Sequence, residues 1–345
     1  MNPLVVALSG LNATDNPGPG VGVARSLRED KGLDPKMLGL VYDALEPGAH
    51  MEWLVDRAYM MPYPLAGKSA FLERISQLVA QEGLNFAIPN LDLELPLYIR
   101  CAPELEALGV KTFLPDMAQF KLRGKEHLGQ LAEELGLHMP QTKVVNNLEE
   151  LKEACEEVGF PLLVKGAFYS AHLVHNPLAA VAAYHEVVTQ WGYPVLVQAR
   201  IEGEEINLVG VGDGKGGSLG QVSAKKLVVS SQNKIFAGVT IRHEALAKAA
   251  ERFLARYQWR GAFELECILK DEEIHMIEIN PRFPAWVYFA TAVGVNLPAQ
   301  LVKAGLGLEI EPVKDYEAGK LFLRYTYEMI TDMTHFKNLT LHGHT

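Results

Sequence analysis

The sequence predicts an α/β protein: a doubly wound parallel-sheet domain at the N-terminal end, followed by lobes that mix helices with paired strands. Three observations carry this. Residues 4–9, apolar without a break through Leu8, read as a buried strand that enters a glycine-rich stretch, Gly10 to Gly22, with a helix starting near Val21. Strand, glycine-rich turn and helix are the opening of a doubly wound domain. Further apolar runs alternate with amphipathic stretches up to about residue 115. Near the other end, Glu264-Leu265-Glu266-Cys267 and Ile277-Glu278-Ile279-Asn280-Pro281-Arg282 flank a polar turn, Lys270-Asp271-Glu272-Glu273. Alternation on both sides of that turn is the mark of a β-hairpin.

The elements follow in order. Residues 38–42 are the second expected strand, and a third lies near Asp56-Arg57-Ala58-Tyr59. Residues 71–81 have the apolar spacing of an amphipathic helix. A fourth strand at 86–90 ends in Asn90-Leu91-Asp92-Leu93-Glu94. Ligands in doubly wound folds bind beyond the carboxyl ends of strands, so Asn90, Asp92 and Glu94 are candidates to face a cleft. Asp92 as a helix N-cap is an equal alternative. Residues 110–114 close this first domain, taken as 1–116. The spacing Gly18-x-Gly20-x-Gly22 is not the dinucleotide fingerprint, and the loop is long and proline-bearing, so it reads as a cleft lip or simply a turn.

A small lobe is expected over 117–195. It opens with one amphipathic helix at 120–136 bearing Lys121, Arg123 and Lys125. A strand at 141–145, a helix at 148–158, a strand at 161–165 ending in Lys165, and a helix at 177–191 follow. A larger lobe over 196–312 continues from a strand at 194–198. Its strands lie at 206–211, 218–229 and 235–241, its helix at 244–257, then the hairpin and a helix at 298–305. The pattern weakens over 313–345, and the final Leu341-His342-Gly343-His344-Thr345 reads as a loose terminus.

Composition narrows the function classes. The 345 residues suit roughly two to three domains; 48% are hydrophobic and 21% charged, ordinary for a soluble globular protein. A net charge of −10 argues against a general nucleic-acid binder, which must neutralise phosphates. Cys101, Cys155 and Cys267 form neither a zinc pattern nor a disulfide framework, which suits a reducing compartment. No signal peptide and no membrane-length apolar run are evident. A soluble, cytoplasmic protein without nucleic-acid or membrane partners is the expectation, and a local Lys/Arg cluster leaves room for a small anionic ligand.

The hairpin holds the densest chemistry. Glu266 and Glu278 lie twelve residues apart. Pairing the strands would gather Glu266, Glu278 and Asn280 at one end of a sheet. Three oxygen-bearing side chains suit a hard cation such as Mg²⁺ that bridges phosphates. Arg282 offers a matching positive charge for phosphate or carboxylate. A solvated hairpin with charged ends is the plainer alternative.

The ordered constellation of Lys125, Lys165, residues 195–205, Glu266 and Glu278-Ile279-Asn280-Pro281-Arg282 resembles the ATP-grasp superfamily, which includes biotin carboxylase and the large subunit of carbamoyl-phosphate synthetase. The resemblance covers about residues 1 to 310, and Ala290 to Pro298 is similar to the family's closing helix. It implies an ATP-grasp fold, two α+β lobes clasping ATP, behind the parallel-sheet domain. Lys125, eleven residues before Gly136, and Lys165 would then meet the nucleotide phosphates. Backbone groups of Gln198, Ala199, Arg200 and Ile201 would meet the adenine edge, and Glu205 the ribose. Lys225 or Lys226 would add a phosphate contact. Glu266, Glu278 and Asn280 would bind Mg²⁺ (or Mn²⁺), while Arg282, with Lys165, would serve the phosphate in transfer.

The implied activity is an ADP-forming ligase that activates a carboxylate as an acyl-phosphate and joins it to an amine. A non-catalytic nucleotide-binding subunit is the alternative, and a homodimer is a further family expectation. Two departures stand out. Gly166-Ala167-Phe168-Tyr169-Ser170-Ala171-His172 has a single glycine, so a lid that is either shorter or built from side chains such as Tyr169 and Ser170 is expected. Phe283-Pro284-Ala285-Trp286 is bulky, and shapes either an acceptor pocket or the core. His172 and His175 are weaker candidates for a cleft lining or a metal.

Overall fold

The computed structural model describes residues 3–13, 17–166, 171–230, 234–313, 315–326 and 328–345. The chain forms two compact units. One comprises Met1–Leu122, Asn207–Leu265 and Ile279–Thr345; the other comprises Arg123–Ile206 and Glu266–Glu278.

In the first unit, β1 (Val5–Leu8), β2 (Lys36–Val41), β3 (Arg57–Met60) and β4 (Phe86–Ile88) form a parallel sheet in the order β3-β2-β1-β4. All four residues of β1 are buried, as a parallel strand covered on both faces requires. Alternation divides the apolar run. Val6 and Leu8 pack with Val23, Ala24 and Leu27 of helix Gly20–Glu29. Val5 and Ala7 pack with Phe71, Ile75 and Leu78 of helix Lys68–Glu82. The glycine-rich loop is a close chain crossing. The Gly20 N–H donates to the Gly10 carbonyl at 2.9 Å, and a Cβ on Gly20 would sit 2.3 Å from the Ser9 oxygen. Only glycine fits that approach.

The second unit holds an antiparallel sheet of β5 (Thr142–Val145), β6 (Leu162–Gly166), β7 (Ala171–Val174) and β8 (Val195–Ala199), ordered β5-β8-β6-β7. Helices Leu148–Val158 and Pro177–Trp191 share its core through Leu151, Ala154, Ala180, Ala183 and Val187. Both helices start on an asparagine cap. The Asn147 side chain accepts from the N–H groups of Glu149 and Glu150, and Asn176 accepts from Ala179. β7 takes in Ala171 and His172, the end of the stretch where a lid was expected. Tyr169 and Ser170 lie outside the described residues.

Strands β9 (Glu204–Asp213), β10 (Ser218–Val229), β11 (Ile235–Ile241), β12 (Arg260–Lys270), β13 (Glu273–Asn280) and β14 (Leu321–Leu323) form a sheet ordered β13-β12-β9-β10-β11-β14. The unit boundaries fall within β9, β12 and β13. The expected hairpin turn is present: Asp271 and Glu272 both adopt positive φ, 47° and 67°, as a two-residue hairpin loop demands. In the first unit, helix Glu244–Tyr257 brings Phe253 within 4.9 Å of Trp259 and 5.4 Å of Phe263, ring to ring, and all three are fully buried.

Two expectations are corrected. The single helix at 120–136 is two, Met117–Lys121 and Lys125–Leu135. A capping box between Asp116 and Gln119 starts the first early, and the Gln119 amide donates to the carbonyls of Tyr257 and Gln258. The chain then turns at Gly124, so Lys125 opens a new helix. The C-terminus is also not loose. Beyond helix Met333–His342 it lies along β3: the Met60 N–H donates to the Gly343 carbonyl and the Thr345 N–H to the Ala58 carbonyl, each at 2.9 Å. An open sheet edge offers those backbone groups. Among the described residues no helix is long and apolar enough to cross a membrane.

Replacing Phe253 by alanine removes the centre of the aromatic cluster, the ring that meets both Trp259 and Phe263. It is expected to destabilise the first unit by about 3–5 kcal/mol, read from urea unfolding by circular dichroism. A loss below about 1 kcal/mol would show that the cluster is not the packing centre described.

Candidate functional site

In the second unit, β6 carries Lys165 near the end of the strand. Its Nζ donates to the Oε1 of Gln198 on neighbouring β8 at 2.6 Å, and the Gln198 amide donates onward to the Thr142 hydroxyl at 2.8 Å. Gln198 is buried and Lys165 half-buried. Burial lowers the Lys165 pKa, while the carboxylates of Glu278, Glu266 and Glu205 pull it back up. Lys125, at the first turn of its helix, donates to the Gly166 carbonyl at 2.5 Å. Its pKa is lowered to about 8, first by burial and then by the charge of Lys165, against the pull of Glu278. The fold therefore gathers Lys125, Lys165, Glu205, Glu266 and Glu278 into one electrostatic cluster. Two ammonium groups are crowded where neither is fully hydrated, a setting that favours an incoming anion.

Beyond β8 the chain leaves regular structure at Arg200 and Ile201. The Ala199 N–H is donated to the Gln141 carbonyl at 2.8 Å. Arg200 is exposed and pairs with Glu202 at 3.3 Å. His172 sits 3.8 Å from Glu186, and His175 is exposed. Among the described residues no group of three or more His, Cys, Asp and Glu is arranged as a metal centre. The two carboxylates Glu266 and Glu278 are both half-buried, and oxygen donors of this kind fit a hard cation that keeps waters and phosphate oxygens as its remaining ligands.

In the first unit the centre is a residue that the sequence displayed without a role. Glu264 is 2% exposed. Its Oε1 accepts from the Asn207 amide and the Trp286 indole, both at 2.8 Å, and its Oε2 accepts from the Asn280 amide at 3.1 Å. The only hint was its place two residues before Glu266, on the same face of β12. Arg282 donates through Nε to Asp92 at 2.9 Å, and through Nη2 to the Asn280 Oδ1 at 3.3 Å. The Arg282 and Asp92 side chains are 16% and 12% exposed, so this pair is far better shielded than an ordinary surface bridge.

The three residues beyond β4 separate in role. Asp92 meets Arg282. Glu94 is buried and faces inward, accepting from the hydroxyls of Ser9 and Tyr42 and from the N–H groups of Asn90 and Leu91. The Asn90 amide donates to the carbonyls of Ser9 and Ile88. Glu94 and Asn90 thus tie the strand ends together. Phe283 and Trp286 are core residues, 1% and 2% exposed. Lys225 and Lys226 are both half-buried, where strict alternation would split them; register shifts in β10 follow between Lys226 and Val229.

With that geometry in view, the comparisons with known proteins agree with one another. Residues 193–327 match the family model described as ATP-grasp in the biosynthetic pathway with Ter operon. The fold is similar to the biotin carboxylase domain of Hydrogenobacter thermophilus 2-oxoglutarate carboxylase, solved as a dimer with MgADP, ADP and bicarbonate: TM-score 0.68, 19% identity, covering 92% of this chain and 72% of that one. It is similar to biotin carboxylase from Campylobacter jejuni, with TM-score 0.66, 17% identity, and 89% and 72% of the two chains covered. It is similar also to N5-carboxyaminoimidazole ribonucleotide synthetase from Thermus thermophilus, with TM-score 0.65, 17% identity, and 89% and 80% covered. The chain has the ATP-grasp fold, with a parallel four-stranded sheet at its N-terminal end.

Proposed function

We propose that this protein is an ATP-dependent, ADP-forming ligase that activates a carboxylate as an acyl-phosphate and joins it to an amine. The observation that carries this is the cluster of Lys125, Lys165, Glu266 and Glu278 on an ATP-grasp fold. The similar structures crystallised with ADP, MgADP and bicarbonate support the nucleotide and a small carboxylate-like substrate. On this reading Lys125, Lys165 and Lys226 neutralise the phosphates. The segment Gln198-Ala199-Arg200-Ile201 meets the adenine, and Glu205 the ribose. Glu266, Glu278 and Asn280 hold Mg²⁺, which when bound draws negative charge off the phosphates.

The carboxylate oxygen attacks the γ-phosphorus as its bond to the β-phosphate oxygen breaks, releasing ADP. The amine then attacks the acyl carbon, inorganic phosphate leaves and the amine gives up a proton. Charge neutralisation and positioning suffice, so no side-chain nucleophile is needed. Arg282, oriented by Asp92, faces the phosphate in transfer.

Glu278→Ala is expected to lower Mg²⁺-dependent ADP formation by about a hundred-fold or more while the circular dichroism spectrum is unchanged. Turnover at the parental rate would remove Glu278 from the metal site. ATP binding with no ADP release across carboxylate and amine pairs would favour a nucleotide-binding module instead.

Phosphates favour the charged form of Lys125, whose pKa in the free protein is lowered to about 8. ATP should bind most tightly below that pH and about ten-fold more weakly at pH 9 than at pH 7. Calorimetry on Lys125→Met should give a nearly flat profile over the same range. Parallel profiles for the two proteins would sink the assignment.

A further inference from the structure

Glu264 lies on β12 and Asn280 closes β13, and both side chains are buried. The contact between them has a direction. The Asn280 Nδ2 donates to the Glu264 Oε2 at 3.1 Å. A carboxylate only accepts, so the NH₂ end of the Asn280 amide must face it and the Oδ1 end must face away. On that far side the Arg282 Nη2 donates to Oδ1 at 3.3 Å. A side chain that can present either end is thus held with its oxygen turned toward the arginine. Only that end can ligate a hard cation.

The other oxygen of Glu264 is what keeps the carboxylate from turning. Its Oε1 accepts from the Asn207 amide and the Trp286 indole, each at 2.8 Å, and both donor residues are buried. The indole offers a donor and nothing else, so this end of the carboxylate is fixed and Oε2 is left for Asn280. The bulk of Phe283-Pro284-Ala285-Trp286 has a use here, since Trp286 is one of the two groups that set the carboxylate. Asn207, Glu264, Asn280, Arg282 and Trp286 all belong to the first unit. A buried, hydrogen-bonded charge is often no more stabilising than apolar residues of the same volume. What a carboxylate alone provides at this position is a fixed direction for the Asn280 amide.

We propose that Glu264 is a positioning residue for the metal site: it holds Asn280 with Oδ1 as the ligand, and so sets the affinity for the cation without touching it. The inference rests on the reading of Asn280 as a metal ligand in the proposed ligase.

The test is calorimetric titration of the full chain with ADP, with and without Mn²⁺. The ratio of the two affinities is the gain due to the metal. Glu264→Gln keeps the shape and an acceptor for Asn207 and Trp286, yet turns an NH₂ toward Asn280. The Asn280 amide must then flip, which puts its own NH₂ where Oδ1 stood. The metal gain should fall by about ten-fold or more, with the metal-free ADP affinity unchanged. Adding Asn280→Asp gives the new glutamine an acceptor and the ion an oxygen, and should return the gain to within about three-fold of the parent. Trp286→Phe removes a donor from Oε1 but keeps the bond to Asn280. It should lower the urea midpoint and leave the metal gain near the parental value. No metal gain in the parent, an equal gain in Glu264→Gln, or no recovery in the double variant would overturn the proposal. So would a gain lost as heavily in Trp286→Phe, which would make the effect one of packing. If the gain follows the expected pattern while no carboxylate and amine pair yields ADP from ATP, Glu264 keeps its role and the ligase reading fails. ADP formation with a metal gain indifferent to Glu264 does the reverse.

Discussion

A carboxylate removed from water must be met by donors, and Glu264 imposes that requirement at the middle of the first unit. Leaving such a group unpaired costs several kcal/mol. Three N–H groups meet it, from Asn207 on β9, from Asn280 at the end of β13 and from Trp286 just past it. Each strand is thereby tied to the others at a fixed register. Because a strand repeats every two residues, the face of β12 that carries Glu264 carries Glu266 next, and the face of β13 that carries Asn280 carries Glu278 before it. A one-residue slip would turn all of them away.

Arg282 extends the same chain of bonds. It reaches Asn280 on one side and Asp92 beyond β4 on the other. The parallel sheet thus contributes a residue that orients the arginine, while Glu94 ties the ends of β1, β2 and β4 together by gathering Ser9, Tyr42, Asn90 and Leu91. Burial pushes the Glu94 pKa up and the hydrogen bonds from Ser9 and Tyr42 pull it down. Glu94 is an acid with its donors supplied, and it belongs to the architecture.

The second unit does the opposite. Lys125 and Lys165 are held with too little water, which lowers both pKa values, and the charge of Lys165 lowers that of Lys125 further. Glu205, Glu266 and Glu278 offset only part of that penalty for Lys165. A residue pair that folding leaves electrostatically short is relieved by an anion, whereas Glu94 needs nothing more. Perturbed groups of the first kind mark function, and groups whose hydrogen bonds are complete mark structure.

The doubly wound opening, the hairpin and the boundaries of helices Leu148–Val158, Pro177–Trp191 and Glu244–Tyr257 were legible in the sequence, whereas strands β7 and β14 were not. Periodicity, asparagine caps and Asp271-Glu272 are local signals that report local geometry. The strand positions of Lys165, Glu266, Glu278 and Asn280 were legible too, because alternation within a strand is itself local. Tertiary structure alone decided the rest. Nothing in a run of letters distinguishes Glu264 from Glu266, or tells which of Asp92 and Glu94 turns inward, since burial depends on partners 16 to 190 residues away. The break before Lys125 follows from Gln119 bonding to Tyr257 and Gln258, and the ordered terminus from the open edge of β3. Sequence determined which chemistry the chain carries; long-range pairing determined which carboxylates build the fold and which stand beside the lysines.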